Sequence, residues 1–416
     1  MRSMMADNVS HRPVENRLPR PPAKPHLITS DLEALAIAEK LAARFKIEAS
    51  SRDRERRLPW DEIEEYTASG LGGITVPREF GGADVSLVTV AKVFEILCEA
   101  DPSLGQLPQN QFGVLALLRD IGSESQKTRI FGDVLNGHRI GNAGPEKGSQ
   151  VVTASTTRLS MVNGEPRLTG KRFYSTSAIF AHWIPTRAVD HDDNPVQVWL
   201  RRDQPGVKVI DDWSSFGQRT TASGSVVFDD AAVDPDLIFR MAEFKDRPGL
   251  AGPTSQLIQA AIDCGIAGAA ISDAVSFVRD RARPWVDFGG ERAADDPTII
   301  HEIGNLYTSY HAAQEVLYEA AAALDEIARR PVSDRSSAEA SVAVANAKIL
   351  TTEVALEASE MLFDLAGSSA TRAAHNLDRH WRNARTHTLH DPVRWKYHLV
   401  GNFELNDVFP KRHQWN

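Results

Sequence analysis

Cysteine is nearly absent. The 416 residues carry two, Cys98 and Cys264, each inside an apolar helical pattern. Two such thiols exclude a disulfide framework and point to a reducing compartment, the cytoplasm. No Cys/His group has zinc spacing, and His387 with His390 would supply too few ligands, so no metal is expected. No continuous apolar run approaches the roughly 20 residues of a membrane helix, and the N-terminus lacks the apolar core of a secretory signal. Positive charge is not in excess: a net charge of −9 argues against nucleic acid as a partner, because phosphate binding needs a basic surface. Nor does a G-x-G-x-x-G follow a strand and open a helix, so a nicotinamide fingerprint is missing.

What remains is an ordinary globular composition, 42% hydrophobic and 25% charged, with length for two or three structural units. Residues 1–28 are rich in Pro, Arg and Asn and read as a flexible arm. From Ser30-Asp31, a good capping pair, Leu32, Leu35, Ala38, Leu41 and Phe45 make a helical stripe. Further helices are predicted over 60–67, 87–100, 104–121 and 123–134. The segment 101–113 is unusually rich in side-chain amides, either caps and turns or the wall of a polar pocket.

From Ile140 the period changes from 3.6 to 2. Residues 151–162 alternate up to Asn163-Gly164, a strong two-residue hairpin signal, and 167–174 return. Strands are predicted at 182–188, 196–201, 207–212 and 225–228. Several short strands within about 100 residues suggest a small antiparallel sandwich or barrel. After Pro253 the chain is helical again, with long helices to about Arg281, from Asp296-Pro297 to Arg329, and from a capping box at Ser336/Glu339 to Ala366. A fourth follows Gly367-Ser368-Ser369. The order is helix, sheet, helix: 29–137, 138–240 and 241–416.

The fourth helix carries the most chemical stretch, Asp378 to Pro392. Arg379, Arg382 and Arg385 share one helical face. They are either a cationic stripe at a site or the ion-pairing face of a basic helix. Pro392 disfavours helix at Asp391, so His390 and Asp391 are expected at a helix end.

These motifs together resemble the acyl-CoA dehydrogenase superfamily. Val76-Pro77-Arg78-Glu79-Phe80-Gly81-Gly82, Phe216-Gly217-Gln218-Arg219 with Val227-Phe228-Asp229-Asp230, and Arg281-Ala282-Arg283-Pro284-Trp285 carry the likeness, which covers nearly all of the chain from residue 30. Within the superfamily, Ala100-Asp101-Pro102-Ser103-Leu104-Gly105, Asp211-Asp212-Trp213 and Trp381 to Pro392 are similar to the flavin monooxygenase branch, that of the dibenzothiophene monooxygenases and the sulfur-acquisition oxidoreductases of dimethyl-sulfone metabolism. The resemblance implies a mainly α fold with a central β-barrel: an N-terminal helical domain, a middle β-barrel and a C-terminal four-helix bundle, assembled as a homotetramer.

It also implies a site. Flavin would lie between barrel and bundle, with Asn142, Ala143, Ser175 and Thr176 along its ring edge, where fixed hydrogen bonds tune its electronics. Arg283 and Trp285, with Ser368 and Ser369, would lie near the cofactor, Arg283 toward its phosphate. Gln106, Asn110 and Trp213 would border the substrate, the amides suiting a small polar sulfone or sulfonate. His390 would return a proton to oxygenated flavin, an exchange suited to an imidazole, with His387 beside it. Asp391 occupies the place of the dehydrogenases' catalytic glutamate, one methylene shorter. The implied activity is that of a two-component monooxygenase: reduced FMN from an NAD(P)H:flavin reductase, and oxygen delivered to a small organosulfur compound. The alternatives are an FAD-dependent acyl-CoA dehydrogenase using Asp391 as base, and a silent flavin-binding relative.

Overall fold

The computed structural model describes residues 17–148 and 155–416. Residues 17–28 have no regular structure but are held against the helices. The His26 N–H donates to the Ala68 carbonyl at 2.9 Å, Ile28 is buried, and the Arg17 guanidinium lies 4.5 Å above the Trp60 ring. His182 fixes the same strap from below: its Nδ1 accepts the Arg139 N–H at 2.9 Å, leaving Nε2–H for the Arg20 carbonyl at 2.9 Å. The arm expected to be flexible over 1–28 is therefore docked over its described part.

Helices come first: α1 (Asp31–Lys46), α2 (Ala49–Glu55), α3 (Trp60–Ala68), α4 (Leu87–Ala100), α5 (Pro102–Gln106), α6 (Gln109–Ile121) and α7 (Glu124–Leu135). Their starts are chemical. Ser30 and Ser86 accept first-turn N–H groups of α1 and α4, Asp101 precedes Pro102 at the head of α5, and Ser123 with Gln126 forms a capping box on α7. The helix predicted over 104–121 is in fact two, broken at Leu107-Pro108, because proline has no N–H to continue the ladder.

The strands are β1 (Arg158–Val162), β2 (Glu165–Arg172), β3 (Trp183–Val189), β4 (Pro195–Arg201), β5 (Val207–Ile210), β6 (Ser225–Ala232) and β7 (Ile238–Arg240). They form one sheet in the order β5-β6-β2-β1-β3-β4-β7. Val162 faces Glu165 across Asn163-Gly164, the hairpin that the dipeptide predicts. The predicted strand over 151–162 is described only from its later part, since 149–154 lie outside the described residues. Among the described residues the sheet does not close into the expected barrel. Strands β5 and β7 are edges with no pairing between them, and the two antiparallel halves meet through one parallel pair, Arg158 with Val189. Closure needs every strand hydrogen-bonded on both sides, and these edges are not. Residues Ile140 and Ala143 add isolated bridges to β3.

The chain then returns to helices: α8 (Ala251–Asp280), α9 (Pro297–Ala328), α10 (Asp334–Ala366), α11 (Asp378–His387) and α12 (Arg394–Asn406). The capping box of α10 is Ser333 with Ser336, three residues before the predicted Ser336/Glu339. The fourth long helix is two short ones, parted around Pro392. Helix α8 is long and apolar enough to cross a membrane, but it is the buried centre of the helical layer, packed by α4, α9 and α10. The approach of α4 depends on Gly265: a Cβ there would stand 2.5 Å from the Glu95 carbonyl oxygen and 2.7 Å from Cys98 Cβ.

Two links aim α11 at the sheet. Arg382 forks onto the buried Asp53 of α2 (2.7 and 3.1 Å), a bidentate geometry that fixes orientation as well as distance. The Phe216-Gly217-Gln218 loop lies directly on α11. A Cβ at Gly217 would overlap the Arg382 carbonyl, and Asn383 Oδ1 accepts the Gln218 N–H at 2.7 Å. Arg379 pairs with Asp273 at 2.5 Å. The arginine stripe thus serves, at Arg379 and Arg382, to anchor the helix.

Candidate active site

A cavity of about 1220 Å³ lies between the sheet and the helices. Strands β3 and β4 and the loops at 142–148 and 213–223 wall one side. Helices α5, α6, α8 and the end of α11 wall the other, and the segment 412–416 closes one end. The volume exceeds the usual 300–1,000 Å³ of a single drug-sized ligand, leaving room for a cofactor and a substrate together.

His390 stands in this wall at the turn following α11. Its Nδ1 is 3.0 Å from Asp391 Oδ1, and its Nε2 has no protein partner among the described residues. Asp391 is buried and does not line the cavity. Burial alone would raise its pKa. The hydrogen bond from His390 and the positive charges of Lys348 and Lys396 outweigh that, holding the carboxyl well below the usual carboxylate range. Lys396 Nζ lies 3.8 Å from Asp391 Oδ2 and donates to the Trp415 carbonyl. Burial pushes its pKa down to about 8 against the pull of Asp391. Asp391 is therefore an anchored anion that orients an imidazole, not a base offered to a ligand.

One turn earlier, His387 is fully buried and nearly parallel to His390, ring centres 6.5 Å apart. Its Nδ1–H donates to Asp263 Oδ1 at 2.5 Å, and its Nε2 meets Gln259 Oε1 at 2.8 Å. Asp263 also binds Lys348 Nζ at 2.5 Å and the Thr352 hydroxyl at 2.8 Å. Burial would raise its pKa, but Lys348 and His387 press it down to about 2. Burial lowers that of His387 in spite of Asp263. Sequence reading singled out neither Asp263 nor Lys348. The signal was there: Asp263 is the sole charged residue between 251 and 272, and Lys348 the sole one between 340 and 352. A lone charge in an apolar helix needs a partner.

Of the residues expected at the site, Gln106, Asn110, Asn142, Thr176, Trp213, His387 and His390 come together around the cavity. Ala143 and Ser175 sit behind the wall. The Ala143 carbonyl accepts the Thr186 hydroxyl at 2.7 Å, and Ser175 Oγ is buried without a partner. Asn110 is committed to structure, its Nδ2 donating to the Gly141 carbonyl at 2.5 Å. Gln106 differs: its Oε1 is buried and has no partner. Arg283, Trp285, Ser368 and Ser369 are exposed and do not reach this cavity within one chain.

The cavity suits a group that carries both hydrogen-bond donors and acceptors. Gln106 Oε1, Gln218 Nε2 and Thr386 Oγ1 are buried polar atoms in its lining that lack partners, and such atoms cost free energy unless something bonds them. Thr176, Thr221 and Ser223 add a chain of hydroxyls spaced at 2.8 Å. Asn142, Thr176 and Gln218 would hold a flavin's ring edge, and the two histidines would face its far side.

A helical layer, a central sheet and the cavity between them set the class of fold. The models of the acyl-CoA dehydrogenase N-terminal domain and C-terminal domain match residues 33–138 and 257–395. Dibenzothiophene monooxygenase of Rhodococcus qingshengii is 32% identical over 396 residues, covering 92% of this chain and 95% of that protein. The probable FMNH2-dependent monooxygenase SfnC of Pseudomonas putida is 27% identical, covering 91% and 96%. FMN-bound TdsC from Paenibacillus sp. A11-2 superposes with a TM-score of 0.88 at 30% identity, over 92% of this chain and all of that one. The chain belongs to the acyl-CoA dehydrogenase superfamily, in its flavin monooxygenase branch.

Proposed function

We propose that this protein is a reduced-FMN-dependent monooxygenase acting on a small organosulfur compound. The observation that carries this reading is the pair His390–Asp391: the imidazole faces the cavity with Nε2 free, while the carboxylate is buried behind it. A dehydrogenase would need that carboxylate presented to its substrate, since a base acts only within hydrogen-bond reach of the proton it takes. Reduced flavin, when bound, supplies the two electrons that split dioxygen into one oxygen atom for the substrate's sulfur and one for water. His390 would hold a proton at Nε2 and give it to the oxygen that leaves as water, with Asp391 keeping the ring turned inward. Asn142 and Thr176 would set the flavin's position from the sheet side, with Ala143 and Ser175 supporting them from behind the wall, and Trp213 with Gln106 would border the substrate.

The lack of a nicotinamide fingerprint fits flavin reduced elsewhere, by an NAD(P)H:flavin reductase. Arg283, Trp285, Ser368 and Ser369, exposed in one chain, would close the phosphate end of a neighbouring subunit's flavin in a homotetramer. The 29–137, 138–240 and 241–416 units would then act as three domains around one site.

The test is rapid mixing of the protein with photoreduced FMN, then with oxygenated buffer. Oxidised-flavin absorbance should return much later than for free FMN, with peroxide released only as it returns. Return at the free-flavin rate, with all oxygen recovered as peroxide, would sink the reading, and bleaching of bound FAD by an acyl-CoA would replace it.

A second outcome concerns selectivity. Gln106→Leu keeps the volume and removes the partnerless amide. The ratio of kcat/KM for a small sulfone over a thiophene should fall about tenfold, the worth of one buried hydrogen bond. An unchanged ratio would take Gln106 out of the substrate pocket.

A further inference from the structure

The cavity contains a cation with no counter-ion. Arg187 lies on β3 opposite Gln197 of β4, and both side chains line the cavity. Its side-chain partners are neutral, and the one charge close behind it, the Arg172 guanidinium that donates to its carbonyl, is also positive. Arg187 Nη2 donates to the Gln414 side-chain oxygen, and the Arg187 guanidinium sits 5.7 Å above the Trp415 ring. Among the described residues, no carboxylate lies within ion-pair distance of it.

The other charged side chains of this wall have partners or are exposed. Arg172, just behind, pairs with Glu146 at 3.2 Å, and Arg412 pairs with Asp334. Asp120 accepts the Leu250 and Ala251 N–H groups at the start of α8. Lys245 and Arg247 are exposed and hydrated. Burial lowers the pKa of Arg187, with no acidic group to oppose it. Arginine still stays protonated, so a full positive charge is kept in an enclosed space. Such a charge is costly unless an anion joins it.

The place is also suggestive. Lys396 Nζ lies 3.8 Å from Asp391 Oδ2 and donates to the carbonyl of Trp415, the residue whose ring faces Arg187 at 5.7 Å. The guanidinium is therefore on the same side of the cavity as the His390–Asp391 pair. Gln414 occupies one of its five N–H donors, and the planar fork remains available for two oxygens at once.

We infer that Arg187 is an oxyanion subsite, holding the charged headgroup of a small sulfinate- or sulfonate-type substrate. This rests on the monooxygenase reading and narrows it, from any small organosulfur compound to one that carries a negative charge. The same chemistry could serve the phosphate of FMN, and the test separates the two.

Binding of methanesulfinate, dimethyl sulfone, FMN and riboflavin would be measured calorimetrically, without oxygen or reductant, on the wild-type protein, Arg187→Gln and Arg187→Lys. The wild type should take methanesulfinate in preference to the neutral sulfone. Arg187→Gln should weaken methanesulfinate by about tenfold or more, the range of a charge-assisted bond, and leave FMN unchanged. Arg187→Lys, which keeps the charge but not the fork, should recover part of the loss and guards against a folding defect in the glutamine variant. Equal binding of the sulfone, or an unaltered methanesulfinate constant in Arg187→Gln, overturns the inference. So does a weakening of FMN but not riboflavin, which would give the cation to the flavin phosphate. A protein that binds methanesulfinate through Arg187 yet reoxidises flavin at the free rate would leave the anion subsite standing and refute the activity alone.

Discussion

Asp263→Ala is expected to destabilise the fold by about 3–5 kcal/mol, the usual cost of stripping one partner from a buried ion pair. Asp263 and Lys348 are both fully buried, and the carboxylate also holds His387 and Thr352. Without it an ammonium stays in a water-free interior between α8 and α10, and His387 loses the partner of its Nδ1. The urea midpoint at constant m-value reads the loss directly. Asp263→Leu combined with Lys348→Met should recover much of it, since an apolar pair of similar volume often replaces a buried ion pair without loss. A cost under about 1 kcal/mol for the single variant, in the range of an exposed pair, would mean that water reaches the site. The pH dependence has a definite sign. The folded-state pKa of Asp263 is depressed to about 2 from 3.8. Its contribution is therefore complete above 3.8 and is lost as pH falls through about 2.

His390→Phe is expected to lower oxygenated product by about a hundredfold or more, the lower range for loss of a general acid–base group. Folding should survive, because the side chain is a third exposed and its ring packs beside His387 instead of filling a core. Oxygen consumption should continue with the oxygen recovered as peroxide. The ratio of product to peroxide is the readout, and a structural role alone would not move it at constant flavin binding. Asp391→Asn should act in the same direction and more weakly, since it disturbs the ring's orientation and leaves its nitrogens. Product formation near the wild-type level in His390→Phe would remove the histidine from the chemistry.

Local chemistry was legible in the sequence. Ser30, Ser123 and Asp296-Pro297 mark helix starts where they occur, and Asn163-Gly164 marks its hairpin. The stretch ending at Pro392 sends His390 to a helix end, as the proline requires. Closure of the sheet was not legible, because it depends on two edge strands finding each other across the whole unit, and no local pattern encodes that. Strand β7, three residues long, is too short to show a period. The capping box of α10 was displaced because Ser333 and Ser336 satisfy each other just as Ser336 and Glu339 would, and spacing alone cannot choose. The site divides the same way. His387, His390 and Gln106 stand in motifs that announce chemistry. Asp263, Lys348 and Arg187 are single charges 76 to 161 residues apart, and only the folded chain shows that two of them meet and the third meets nothing.

The strap of residues 17–28 has a consequence for how the protein tolerates acid. His182 accepts the Arg139 N–H only as a neutral ring, but its Nε2–H can donate to the Arg20 carbonyl in either protonation state. Burial lowers the pKa of His182 to about 4 from 6.5, so the bond from Arg139 is complete above pH 6.5 and is lost as pH falls through about 4, while the bond to the strap survives. An acid protease at that pH should therefore leave residues 17–28 uncut.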